Sequence, residues 1–270
     1  MAEARGAGPA YDHGVRSLPG FRSRTRSLAA VAVVLALALV AGVVVTLAAT
    51  PRLPPVTGVQ LDRAVPDLPL VDASGQPTSL AAFHGRTVVL TPFLTLCHEV
   101  CPITTGAFIE MEQAVRQAGV GDKVVFVEAT VDPGRDSPAR LRAYARLTGV
   151  DWTLLTGSAD QVARFWGFFG VGYQRQPIGS PAPIDWWTHQ PETYDVGHTD
   201  GLFIIGPHGR ERIATIGMAN VGGKLNPTLA GMLDAQGLQN LHDPQASWTV
   251  QQALDDLGHV LGQRIPAPGA

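Results

Sequence analysis

From Ser27 through Thr50 the chain reads SLAAVAVVLALALVAGVVVTLAAT and carries no charge. That run constrains the fold more than any other feature, because it is apolar all round and has no polar face to turn to solvent from a globular domain. Its apolar stretch of roughly 22 residues matches a hydrocarbon core about 30 Å thick. Arg16, Arg22, Arg24 and Arg26 precede it. Basic residues stay on the cytoplasmic side, so the expected topology is a single-pass cell-membrane protein with its main domain on the extracytoplasmic side. The other reading is a cleaved signal peptide, for which "LAAT" is a weak cleavage site. The run is longer than the usual apolar region of about 7 to 15 residues, which favours the anchor.

The expected organisation follows from this division. Residues 1–27 read as a disordered cytoplasmic leader, being small, polar and basic, and 28–50 as the transmembrane anchor. "PRLPPVTG" (51–58) is a Pro-rich spacer, 59–263 the folded domain and 264–270, "RIPAPGA", a flexible tail. A net charge of only −3, without the basic face such a partner would need, argues against nucleic acid.

Inside the domain, strand and helix patterns alternate. "TVVLTPFL" (87–94) and "KVVFVEATVD" (123–132) are short apolar runs rich in β-branched residues and read as buried strands. Between them Ile103, Phe108, Met111 and Val115 recur at helical spacing. "SPARLRAYARLTG" begins with Ser137 as N-cap and Pro138 at the first helical position, and "SADQVARFWGFFG" is capped by Ser158. "WTLLTG" (152–157) is a further short strand, and "GLFIIG" followed by "PHG" and "RERIATIG" is a hairpin. The order predicts an α/β domain, a mixed sheet with helices on both faces. Residues 171–200 fit no regular element and read as a long surface loop.

The chain's two cysteines lie in "LTLCHEVCP" (94–102), with three residues between them. Cys97 follows a strand and Cys101 opens a helix with Pro102 behind it, where unpaired N–H groups favour thiolate over thiol. A disulfide across so short a loop would add little stability, so a mere staple is a poor account of the pair. A dithiol for electron exchange usually has two intervening residues. No proline precedes the strand in "DVGHTDGLFII"; His198 and Asp200 stand there instead. An imidazole facing both sulfurs would complete a soft, three-coordinate set suited to copper, Cu(I) above all.

"FLTLCHEVCP", "VDPGRDSPARLRAYA" and "GHTDGLFIIGPHGR", in this order behind an N-terminal anchor, resemble the Sco/SenC family. The resemblance covers roughly residues 59 to 220. It implies a thioredoxin-like fold and a membrane-anchored copper chaperone that assists assembly of the copper centre of cytochrome c oxidase. It also implies copper ligands at Cys97, Cys101 and His198, and as partner the copper-bearing oxidase subunit or another copper protein. The sequence departs from the family where His98 and Glu99 follow the first cysteine and where Gly197, not Asp, precedes the distal histidine. His98 is either a transient fourth ligand or a solvent-facing residue, and Asp195 or Asp200 could stand in for the missing carboxylate. The stretches at 181–189 and after 225 are peculiar to this chain.

Other candidates have plainer readings. Asp132, Arg135 and Asp136 mark a strand end, a Pro-Gly turn and a helix start, with Asp132 near enough in the pattern to border a copper site. His189, beside Trp186 and Trp187, is a ligand or a partner contact, or an ordinary loop histidine. Phe165, Trp166, Phe168 and Phe169 read as core. No P-loop, GxSxG elbow or CxxC pair is present. A conventional enzyme is therefore not expected; the alternative is a thiol–disulfide reductase with Cys97 and Cys101 as its redox pair.

Overall fold

The structure, a computed structural model, describes residues 14, 21–49 and 53–268, with side chains in the first helix described over 28–43. The chain falls into two units, 1–51 and 52–270. The first contributes one helix, α1 (Phe21–Ala49). Its apolar side chains Leu28, Val31, Leu35 and Leu39 are all exposed. Among the described residues no helix is long and apolar enough to cross a membrane. The span expected over 28–50 extends past the described side chains, and most of the 1–27 leader lies outside the described residues.

The second unit begins with β1 (Val59–Ala64), β2 (Leu70–Asp72), β3 (Pro77–Thr78) and β4 (Thr87–Phe93). Helix α2 (Cys101–Gln117), β5 (Val124–Thr130), α3 (Pro138–Thr148), β6 (Thr153–Thr156) and α4 (Ala159–Phe169) follow. Then come β7 (Tyr173–Gln176), β8 (Asp195–His198), β9 (Gly201–Ile205) and β10 (Arg210–Ile216). The chain closes with β11 (Ala219–Asn220), α5 (Pro227–Ala230), α6 (Ala235–Leu241), β12 (Trp248–Thr249) and α7 (Val250–Leu261).

Eight strands form one sheet in the order β1-β10-β9-β4-β5-β6-β2-β3. β4, β5 and β6 run parallel, and β9 is antiparallel to β4. The central β4–α2–β5 unit followed by the β9–β10 hairpin and α7 is the thioredoxin-like arrangement expected. Alternation along the strands sorts the core into two layers. Val88, Leu90, Val127, Phe203 and Ile205 pack with Leu141, Tyr144, Phe165 and Trp166 of α3 and α4. Val89, Phe126, Leu202 and Ile204 pack with Phe108 and Met111 of α2 and Leu254 and Leu257 of α7. Phe165, Trp166 and Phe169 are core, as the sequence suggests, whereas Phe168 is only partly buried.

The helix boundaries follow their caps. Ser137 accepts from the Arg140 N–H, and Gly149 ends α3 in the left-handed region at φ 77°. Ser158 and Gln161 form a capping box on α4, and Thr249 and Gln252 another on α7. Asp256 of α7 accepts from the N–H groups of Thr57 (2.7 Å) and Gly58 (3.0 Å), which fixes where the spacer joins the domain.

Two segments differ from expectation. Residues 171–200 are not one irregular loop: β7 and β8 pair antiparallel, Tyr173 against His198 and Gln176 against Asp195, and Ile184 bridges Pro191. Their polar side chains alternate too little to reveal a strand, and the backbone ladder holds them instead. The tail is docked rather than loose through Ala267: Ile265 is 1% exposed, and the Ala267 N–H donates to Gln251 Oε1 at 2.8 Å. One apolar side chain plugged into the α7 layer suffices to hold it.

Glu128, on β5 beneath α2, is fully buried. It accepts from Thr105 Oγ1 (2.7 Å) and Trp152 Nε1 (3.0 Å), and Thr105 also meets the Tyr144 hydroxyl (3.1 Å), so α2, β5 and α3 share one polar knot. Burial pushes the Glu128 carboxyl from 4.5 up to about 7. The folded state therefore holds a proton that the unfolded chain has released, and the stability tied to it is lost as pH rises through about 7. Glu128→Gln mimics the protonated acid. Urea unfolding should find the variant close to wild type near pH ~5 and the more stable of the two at pH ~8, by on the order of 3 kcal/mol.

Candidate metal centre

The site grows from the C-terminal end of β4. Two residues before Cys97, Thr95 is locked: its N–H donates to Asp136 Oδ2 (3.2 Å) and its hydroxyl to Asp136 Oδ1 (2.5 Å). Thr130 Oγ1 donates to the same carboxylate at 2.5 Å, and Trp186 Nε1 donates to the Thr95 carbonyl at 2.8 Å. Burial raises the Asp136 carboxyl to about 6 against the pull of these donors. The bland strand-end motif at 132–136 thus aims the chain that leads into Cys97.

Helix α2 starts at Cys101 with no side-chain cap from Val100. The Cys97 sulfur fills that role, accepting the Cys101 N–H at 3.2 Å. An anionic sulfur gains there from the unpaired amides of the first turn. The Cys101 thiol donating to Cys97 is the main cause that holds Cys97 well below the ordinary thiol range, outweighing burial, and His198 adds to it. Cys101 is the reverse: 2% exposed, it is pushed well above that range by burial and then by the Cys97 sulfur. The pair is therefore polarised, with the negative charge on the more accessible Cys97.

His198 arrives from β8 on the opposite side. Its Nδ1 lies 3.1 Å from the Thr199 carbonyl. A carbonyl can only accept, so Nδ1 carries the proton and Nε2 points to the sulfurs, 3.5 Å from Cys101 Sγ. Burial alone would lower this imidazole, but the Cys97 sulfur and the buried Asp200 carboxylate raise it to about 9. Cys97, Cys101 and His198 place one donor atom each within 4.8 Å of one another, and theirs is the metal-capable group among the described residues. Two sulfurs and a backbone-oriented imidazole form a soft donor set that fits Cu(I).

The missing carboxylate before the distal histidine has a substitute. The Thr199 carbonyl orients the ring, while Asp200, held by Thr104 Oγ1 at 3.4 Å, supplies charge. Burial raises the Asp200 carboxyl to about 7. Asp195 lies, with Glu99 and Asp234, on the wall of the cleft of about 470 Å³ that Cys97, His198 and Asp200 also line.

His98 takes neither expected role. Nδ1 meets the Met232 carbonyl at 3.0 Å and Nε2 meets Glu192 Oε1 at 2.6 Å, so the ring is neither a ligand nor turned to solvent. Glu192 is the main cause that raises it to about 9. Glu192 Oε2 accepts from Arg135 Nη1 (3.1 Å), and Arg135 is paired in turn with Asp132, which also accepts from the Tyr194 hydroxyl (2.9 Å). Asp132 therefore belongs to this ion-pair chain and not to the donor set. His189 is exposed and outside it too; its backbone closes a turn on the Asp185 carbonyl at 2.9 Å. Sequence reasoning did not find Glu192, Tyr194 or the Met232–Asn240 stretch, since nothing in their spacing marks a contact with a loop over ninety residues away.

A thioredoxin-like domain with a dithiol and an imidazole converging at the end of β4 defines a metal-handling class of protein. Residues 59–222 match the family model SCO1/SenC, and the chain belongs to that family. A copper-binding protein of Stutzerimonas stutzeri is 31% identical over 56% of this chain and 68% of its own length. A mitochondrial SCO2 homologue of Mus musculus is 29% identical over 53% of this chain, which spans only 52% of that relative. The solved structure of Bradyrhizobium japonicum ScoI with copper bound covers 66% of this chain and 99% of its own at 20% identity, with a TM-score of 0.48.

Asp136→Ala removes the acceptor shared by three buried donors. Urea unfolding should show a loss of roughly 3 kcal/mol, because each orphaned buried group carries its own desolvation cost.

Proposed function

We propose that this chain is a membrane-anchored copper carrier that receives copper and passes it to a copper protein, with the copper-bearing subunit of cytochrome c oxidase as client. The observation that carries this reading is the convergence of His198 Nε2 on both sulfurs. Cys97 and Cys101 would supply thiolate sulfur and His198 a neutral imidazole nitrogen. Binding would displace the proton that the ring holds opposite Cys97, so loading releases acid. Oxidising the two thiols to a disulfide removes two of the three donors and gates the site by redox state. Membership of the SCO1/SenC family supports the client class.

The anchor belongs to the same proposal. Leu28, Val33 and Val34 point to different sides of α1, and each is exposed, as suits a helix covered by lipid. The arginines before it put the leader in the cytoplasm and the domain outside. Tethering at the bilayer raises the effective concentration beside a membrane-bound client.

Thiol–disulfide exchange is the second reading, favoured by the polarised pair of an accessible, low-range Cys97 and a buried Cys101. Anaerobic titration of the reduced protein with Cu(I) separates the two. Wild type should bind one copper, and Cys97→Ser, Cys101→Ser and His198→Ala should each weaken binding by more than about tenfold. A His198→Ala variant with wild-type copper affinity overturns the carrier reading; one that loses copper yet reduces a disulfide substrate shows that both activities reside in the domain.

A further inference from the structure

We propose that His98 is a positioning residue, a latch that sets the geometry of the Cys97–Cys101 loop by joining it to two remote segments. Both ring nitrogens face acceptors, the Met232 carbonyl and the Glu192 carboxylate. Both nitrogens are thus engaged by protein groups, which leaves neither free for a metal. Glu192 is itself held on both oxygens: its side chain is 1% exposed and its other oxygen accepts from Arg135. On this side the latch fastens the loop to the 171–200 excursion.

On the other side it fastens the loop to residues beyond the family match, which ends at 222. The Asp234 N–H donates to the His98 carbonyl at 3.0 Å, and Asn240 Nδ2 donates to the Glu99 carbonyl at 3.4 Å. Gly237 permits this approach, because a Cβ there would lie 2.3 Å from the His98 carbonyl oxygen. The residues between the cysteines are thus held by a side chain, two carbonyls and a glycine contact, all converging from segments distant in sequence. Cys97 is the residue before His98, so any slack in the latch reaches a donor sulfur through one peptide unit. Outer groups that orient a ligand typically change metal affinity by about 10- to 100-fold when removed.

The inference rests on the copper reading for its affinity readout but not for its structural one. The full-length, reduced, metal-free protein is compared with His98→Ala, His98→Gln and Gly237→Ala by peptide-resolved amide exchange and by Cu(I) competition with bathocuproine disulfonate. His98→Ala should speed exchange over 97–101 and 232–240 by roughly tenfold, with β9 and α7 unchanged. It should lower Cu(I) affinity by about 10- to 100-fold while keeping one copper per chain. His98→Gln, which can donate to one acceptor, should fall between. Gly237→Ala, which alters neither the imidazole nor a donor, should move both readouts in the same direction. Wild-type exchange and affinity in His98→Ala and Gly237→Ala overturn the latch, as does loss of the bound copper in His98→Ala with exchange unchanged, which would make the ring a ligand. Faster exchange in the variants of a wild type that takes up no copper upholds the latch and removes the carrier reading.

Discussion

The site depends on one pairing, the antiparallel seating of β9 beside β4 with Val88 opposite Ile205 and Leu90 opposite Phe203. In that register the residues just after β4 and those just before β9 reach the same end of the sheet. The sulfurs stand at the first position and the imidazole at the second. A slip of one residue would turn every β9 side chain to the other face, exchanging the Phe203–Ile205 layer with the Leu202–Ile204 layer. Both layers are fully packed, so core burial enforces the register and, with it, the meeting of Cys101 and His198.

What burial achieves along the strands, buried polar groups achieve at the sheet's end. Asp136 gathers Thr95 and Thr130, Glu128 gathers Thr105 and Trp152, and Glu192 gathers His98 and Arg135. Each carboxylate spans two elements that apolar contact alone would leave free to slide. Dispersion is non-directional, whereas a carboxylate with named donors has one acceptable geometry. The domain spends desolvation at three acids around one site and gains positional definition there.

Most of the scaffold was legible in the residues. β4, β5 and the hairpin announce themselves as runs of Val, Ile and Phe, and α3 and α4 by serine caps, because these signals are local. The cysteine pair and His198 were legible through their setting, a strand–helix junction and the approach to an apolar strand. β7 and β8 were not, since Tyr-Gln-Arg-Gln and Asp-Val-Gly-His hold no apolar alternation and are ordered by backbone pairing with each other. Strands β3, β11 and β12 are two residues each, too short for any period. The α7 helix had a readable signal in Thr249 and Gln252, followed by Ala253, Leu254 and Leu257. The partners of His98 had none, because a backbone carbonyl and a lone glutamate acquire meaning only once the chain has closed on itself.

The unequal burial of the two sulfurs would give an ion passing through the site a fixed order. An incoming soft ion or competing donor would meet Cys97 and the imidazole at the cleft, while Cys101 sits behind them. An ion shared for a moment with a second protein would leave the inner sulfur first and be bridged at the outer one. Entry and departure would then use the same gate in opposite sequence.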